Sequence, residues 1–384
     1  MADEVSPAMR VTKGEVRAVR GNTVLRPVAP ALAGVLLLAA AACSSGRNDA
    51  AASGDTVPPG AASPTAPAHR PAPPAKRPII LAFGGDVHFE GSLRARLADP
   101  ATALGPIAGT LRAADFAMVN LETAVTTGGT PAPGKQFHFR APPSAFAALK
   151  AAGVDVATMA NNHGMDFMEP GLRDSLAAIR RTRFPTVGIG RNAAAAYRPY
   201  RVTVRGTRLA VIGATQVLDD NLISAWTATE GKGGLASAKV VPRLVQAVHE
   251  ARRGADAVIV YLHWGEELRT CPLPRQRELA RQLIAAGADV VVGGHAHVPL
   301  AGGYLEGRYV DYGLGNFVFS TAHGATANSG VLLLKLQGRK VLKARWKPAA
   351  IAGGLPHLLA GPAAAAEYRR WTGLRRCTDL TASP

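Results

Sequence analysis

From residue 79 onward the chain alternates short apolar runs with longer segments in which apolar residues recur every three or four positions. Ile79–Gly84 (IILAFG), Phe116–Leu121 (FAMVNL), Val154–Ala160 (VDVATMA), Ala257–Leu262 (AVIVYL) and Val290–Gly293 (VVVG) are short and rich in β-branched or large apolar residues, as buried strands are. Between them, Ser144–Ala152, Pro170–Thr182, Lys239–Arg253 and Pro274–Ala286 carry the spacing of amphipathic helices with basic outer faces. Strand–helix alternation predicts α/β architecture. Tyr200–Ala214 and Gly330–Trp346 instead read as strand–turn–strand, with Arg205-Gly206 and Gln337-Gly338 at the turns. Added hairpins imply more than one sheet.

Upstream the pattern changes. Val28–Ala42 (VAPALAGVLLLAAAA) is an apolar run too short to span a bilayer, preceded by Arg17, Arg20 and Arg26 and followed by Cys43-Ser44-Ser45-Gly46. A basic region, a short apolar run and small residues form a secretory signal. The Cys directly after them resembles the lipidation site of a bacterial lipoprotein, although Ala40 stands where such signals usually carry Leu or Val. An ordinary cleaved signal, giving a secreted product, is the alternative. The stretch before Arg17 points to a start codon further downstream. Residues 44–78 are mostly Ala, Pro, Ser, Gly and Thr; with so little apolar surface to offset ordering entropy they predict an extended tether. The expected organisation is a signal over 1–43, a tether over 44–78, one folded domain over 79–350 and a C-terminal tail over 351–384.

A net charge of +17 first suggests nucleic acid, an anionic polymer or an anionic membrane surface as partner. Nine of the 44 basic and five of the 27 acidic residues precede residue 79, so a net +13 lies beyond it. Export, 5% aromatic residues and the lack of a basic–aromatic platform argue against nucleic acid. Three Cys are too few for a disulfide-built scaffold. In an oxidising exported setting Cys271 and Cys377 could pair, stapling the tail to the body.

Ligand sites in α/β folds form beyond the carboxyl ends of strands, and there the polar residues gather. Asp86 and His88 follow the first run, and Asn120 and Glu122 close the second. Asn161-Asn162-His163 with Asp166 follows the third, His263 with Glu266 and Glu267 the fourth, and His295-Ala296-His297 the fifth. Five of the ten histidines sit at these exits. In Asp-x-His and His-x-His, alternate residues of an extended segment would point the same way and reach one ion. Imidazole, carboxylate and amide donors without thiolate suit Mn, Fe or Zn, and a carboxylate can bridge two such ions. Two metals together activate water and clamp the oxygens of a phosphoryl transfer.

The order of these motifs resembles the calcineurin-like metallophosphoesterases. More closely, Gly85-Asp86, Asn120-Leu121-Glu122, Asn161-Asn162-His163, His263-Trp264-Gly265, Gly294-His295-Ala296-His297 and Leu314-Gly315-Asn316-Phe317 are similar to the CapA family of bacterial capsule or poly-γ-glutamate synthesis proteins, within the metallophosphatase-like superfamily. The resemblance spans about Ile79 to Ser320. It implies a four-layer α/β/β/α sandwich of two mixed sheets flanked by helices. It also implies that Asp86, His88 and His297 hold a first divalent metal, that Glu122 bridges, and that Asn162, His263 and His295 hold a second. His163 matches the superfamily's general acid, and Asp166 would orient it. Two departures stand out: His88 occupies a position that is commonly apolar in CapA relatives, and the bridging group is Glu where Asp is usual.

Two segments are open to either of two readings. Lys135-Gln136-Phe137-His138-Phe139-Arg140 is either an anion-recognition element or a solvated basic loop. Glu266 and Glu267 either support imidazole N–H groups or form an acidic pair at a helix entry. The function expected is that of an exported protein, lipid-anchored outside the cytoplasm through Cys43, with a metal-dependent, phosphoesterase-like hydrolase centre. It would act in synthesis, export or anchoring of an anionic surface polymer, alongside membrane-bound synthesis machinery. The alternatives are an envelope phosphodiesterase or phosphatase using the same residues, and a non-catalytic polymer-binding scaffold.

Overall fold

Each apolar run from residue 79 onward forms a strand in the computed structural model, which describes residues 76–384. The expected signal, Cys43 and the tether up to residue 75 lie outside the described residues. In chain order the principal strands are β1 (Ile79–Val87), β2 (Phe116–Leu121), β3 (Val156–Thr158), β4 (Thr186–Val187), β5 (Tyr200–Val204), β6 (Thr207–Thr215) and β7 (Ala257–His263). They continue as β8 (Val290–Gly294), β9 (Gly302–Leu305), β10 (Arg308–Asp311), β11 (Asn316–Val318), β12 (Asn328–Gln337), β13 (Lys340–Ala352) and β14 (Leu355–Leu358). The main helices are α1 (Ser144–Ala151), α2 (Met168–Thr182), α3 (Val241–Arg252), α4 (Pro274–Ala285) and α5 (Gly361–Gly373).

One sheet has eight strands in the order β14-β13-β12-β1-β2-β3-β4, with β11 beside the end of β1; the other has six, β9-β10-β8-β7-β6-β5. Their centres are parallel and their hairpin margins antiparallel. The two hairpins fold where the turn chemistry allows. Arg205 and Gly206 both take positive φ, at 45° and 80°, the twist-matched geometry of a tight hairpin.

The pleat sorts side chains into layers. Ala257, Ile259 and Tyr261 of β7 face Ile79, Leu81 and Phe83 of β1 in a core between the sheets. Val258, Val260 and Leu262 point the other way, onto Leu244 and Val248 of α3 and Leu279 and Leu283 of α4. On the far side of the first sheet, Ala117 and Val119 pack with Phe146 and Leu149 of α1 and Leu172 of α2. The protein is therefore a helix–sheet–sheet–helix sandwich, as expected. Ile259 is fully buried between the sheets, and Ile259→Ala there would cost about 2–5 kcal/mol.

The residues after 350 are part of this body. β14 pairs with Ala349–Ala352, and α5 lays Trp371 flat on Trp346 at 5.5 Å between ring centres. Cys377 is bonded to Cys271, with 5.7 Å between their Cα atoms. Among the described residues no helix is long and apolar enough to cross a membrane.

Candidate metal centre

The two sheets present their carboxyl ends to one another, and two glycines leave room for close approach there. A Cβ on Gly85 would lie 1.8 Å from the Gly315 carbonyl, and one on Gly294 would lie 2.4 Å from Oδ1 of Asp86. Through this contact Asp86, at the end of β1, accepts a hydrogen bond from the backbone N–H of His295 at 2.9 Å.

Around it, donor atoms of Glu122, His263 and His295 lie within 4.8 Å of one another, as do those of Asp86, Glu122 and His297. Glu122 belongs to both groups, the position of a bridging carboxylate. Oδ1 of Asn162 is 2.7 Å from Nε2 of His263, which is 3.3 Å from Oε1 of Glu122. Six of the seven expected ligands thus meet here. Glu267 joins a third group with His295 and His297, while Glu266 pairs outward with Arg269 at 3.0 Å.

His88 is the exception. Its Nδ1 faces the backbone N–H of Glu90 at 3.0 Å and its Nε2 that of Ser320 at 3.3 Å. The ring stacks on Phe139 at 4.5 Å and meets the edge of Phe319 at 4.2 Å. It belongs to neither group that Glu122 joins; Nδ1 accepts from the Glu90 N–H, and stacking on Phe139 and Phe319 makes His88 part of the wall.

The His-x-His pair reaches the centre by a different geometry from the extended one. His295 and His297 have φ of 91° and 57°, left-handed conformations that are costly for residues with a Cβ and that cluster at functional sites. The bend places the two rings 5.9 Å apart, in different ones of the two groups that Glu122 joins though together with Glu267 in the third.

The electrostatics fit cations. Both carboxylate oxygens of Glu122 and Nδ1 of His295 are buried with no hydrogen-bond partner among the described residues. A buried carboxylate without a partner costs several kcal/mol, roughly 3–5 by analogy with broken ion pairs, and a divalent ion would remove that cost. Burial, then the Glu122 carboxylate, pushes the Asp86 carboxyl up to about 6, and burial raises Glu122 as well. Burial also holds His263 down at about 4 and His295 well below its ordinary value, which keeps both imidazoles neutral and able to ligate. For His297 burial acts downward too, but Glu122, Asp86 and the bond to Asn316 outweigh it and raise the group. With nitrogen and oxygen donors only, the set suits Mn, Fe or Zn.

Beside the centre lies a relay. Nδ1 of His163 is 2.5 Å from Oδ2 of Asp166, which also accepts from the Phe139 N–H at 2.6 Å. Lys135 donates to Oδ1 of Asp166 at 2.6 Å and to the Asn162 carbonyl. Its side chain is only 7% exposed, so Lys135 is an internal countercharge, not the solvated or ligand-facing cation that either sequence reading implied. Phe139 stacks on His163 at 3.9 Å. Burial lowers the pKa of His163, with Asp166 opposing.

Two residues important to this geometry carried no assigned role in the sequence. Nδ2 of Asn120 donates to Asp86 at 2.8 Å and lies 3.1 Å from Nδ1 of His263, and Oδ1 accepts from Asn161 at 2.9 Å. Oδ1 of Asn316 is 2.8 Å from Nδ1 of His297 and orients that ring. Both stand inside the quoted motifs, which was the only signal available.

A four-layer α/β/β/α fold with His, carboxylate and Asn donors joined across the strand ends of both sheets defines the class: a sandwich built around a candidate metal centre. The chain belongs to the family of the bacterial capsule synthesis protein PGA_cap, whose model matches residues 80–321. It is 32% identical over 206 residues to the capsule biosynthesis protein CapA of Bacillus anthracis, covering 53% of this chain and 49% of that one. It is also 32% identical over 236 residues to the PGA biosynthesis protein CapA of Bacillus subtilis, covering 59% of each. The chain thus spans about half to three-fifths of the length of these curated relatives. Among solved structures, a phosphatase from Mycoplasma pneumoniae aligns at a TM-score of 0.45 with 14% identity, over 76% of this chain and 97% of that one. A 5'-nucleotidase from Candida albicans aligns at 0.42 with 11% identity, over 78% and 57%.

Proposed function

We propose that this protein uses a dinuclear divalent-metal centre for phosphoester hydrolysis in the assembly of an anionic surface polymer of the poly-γ-glutamate type. In this reading it is exported, is anchored to the membrane through a lipidated Cys43, and works beside the polymer-synthesis machinery. One observation carries the catalytic part: Glu122 stands in both donor groups with its two buried oxygens unpartnered. The polymer context is supported by the family and by the names of its CapA relatives.

Asp86, Glu122 and His297 would hold one ion, and Glu122, Asn162, His263 and His295 the other. Bound there, such ions activate a water and offset charge developing on phosphoryl oxygens. The chain's own residues do the rest. Asp166, paired with Lys135, holds Nδ1 of His163 and aims Nε2 outward, from which the imidazolium form would protonate a departing oxygen. Phe139 covers one face of that imidazole and excludes water from it.

The test is turnover of an aryl phosphodiester with Mn²⁺ by the wild type, Asp86→Ala and His163→Ala. Loss of rate in both variants is expected. Equal rates in all three, or none in the metal-loaded wild type, would leave a polymer-binding scaffold as the better reading.

A further inference from the structure

Away from the metal centre, a cavity of about 570 Å³ opens between the carboxyl end of α2 and the segment from Ile189 to Arg201. Arg180, Arg183, Arg191, Arg198 and Arg201 line it, and no acidic residue does. All five are exposed, and among the described residues none is paired with a carboxylate, whereas nearby Arg173 and Arg243 hold Glu169 and Glu230 at 2.6 Å. Arg180 and Arg183 complement the carboxyl end of a helix, which accounts for two of the charges. Arg201 donates to the Glu250 carbonyl at 3.0 Å, in the last turn of α3, whereas Arg191 has no such end to offset.

This basic cavity is not isolated. Leu176 and Arg191 also line a second cavity, of about 680 Å³, whose walls include the Arg173–Glu169 pair, Lys232, Met165 and Trp226. Lys135 sits 4.9 Å above the Trp226 ring and binds the Asp166 that holds His163. Trp226 thus joins the lining of the second cavity to the pair of Lys135 and Asp166 beside His163.

We propose that this basic cavity is the docking site for an extended polycarboxylate chain, which arginines without carboxylate partners hold by its repeated anionic groups. Guanidinium forks match carboxylates two bonds at a time, and clustered like charge in a cavity focuses attraction for a polyanion. Single-stranded nucleic acid fits less well, because the aromatic side chains in the first cavity are limited to Phe184, which is 4% exposed, and Tyr200, and they offer no stacking platform. The choice of a polycarboxylate rests on the proposed function; the docking itself does not depend on hydrolysis.

The test is fluorescence anisotropy of labelled polyglutamate with the full chain, read without turnover, so a catalytically silent protein would still answer it. Replacing Arg180, Arg183 and Arg191 together by Ala is expected to weaken binding about tenfold and to flatten its decline with salt. A milder pair, Arg183→Gln with Arg198→Gln, is measured beside it, and unfolding midpoints confirm that both variants fold. The control removes equal charge at the opposite edge of the eight-stranded sheet, through Lys340→Ala, Lys343→Ala and Arg345→Ala, and is expected to change affinity less than about twofold. Unchanged binding in the cavity variants, an equal loss in the control, or equally tight binding of a charge-matched single-stranded oligonucleotide would overturn the proposal.

Discussion

Asp86 offers the sharpest test of whether the centre is built to await cations. Its carboxyl is pushed from 3.8 up to about 6 by burial and then by Glu122. A group raised by that much favours the folded state while it is protonated. That advantage is complete below pH 4 and is lost as pH rises through about 6, for a change of about 3 kcal/mol. His263 and His88, held down at about 4 and about 3, act in the opposite sense and make the metal-free protein more stable as pH rises. Comparing wild type with Asp86→Asn at each pH cancels their contribution to first order. The Asn side chain keeps one of the two hydrogen bonds, from Asn120 or from His295, and turns a donor toward the other, costing about 1–3 kcal/mol at every pH. In EDTA, guanidinium unfolding followed by tryptophan fluorescence should therefore show the variant gaining about 3 kcal/mol on the wild type between pH 4 and pH 7. With saturating Mn²⁺ the wild type should gain stability at pH 7 and the variant much less. A stability difference independent of pH in EDTA would refute the reading of Asp86 as a buried carboxylate held ready for metal.

Other consequences follow from single contacts. Asp166→Asn leaves the buried Lys135 unpaired and should cost about 3–5 kcal/mol with a fall in diesterase rate of about 100-fold; adding Lys135→Met should restore thermal stability but not rate. Gly294→Ala places a methyl 2.4 Å from Asp86 Oδ1, and calorimetry should show Mn²⁺ affinity reduced at least about tenfold. Cys377→Ser opens a link between residues 106 apart and should lower stability by about 4–5 kcal/mol in the chain-entropy account, leaving Mn²⁺ affinity unchanged.

Much of the fold was legible because strand and helix patterns are local. The run AVIVYL becomes β7 (Ala257–His263) and the spacing in Pro274–Ala286 becomes α4 (Pro274–Ala285), since burial on both faces or on one stripe dictates composition residue by residue. The residues after 350 were harder to read: the tail offers few large apolar side chains, and what docks it is Trp371 on Trp346 and a disulfide to Cys271, partners distant in sequence.

The same division runs through the site. The sequence alone determined which donors stand at strand exits, because a turn after an apolar run is a local event: Asp86, Glu122, Asn162, His263, His295 and His297 were all readable there. Only the tertiary structure decided how they combine. The bond from His295 to Asp86 joins residues 209 apart across two sheets, and Gly294, having no Cβ, leaves the room in which that carboxylate sits. The Glu90 N–H and the rings of Phe139 and Phe319 hold His88 at the wall, and left-handed φ angles, not strand alternation, aim His295 and His297. Asn120, Asn316 and Lys135 acquire their roles from partners that no local pattern contains. Residue type and spacing fix what chemistry is available, whereas close approach of distant backbones fixes which groups share an ion.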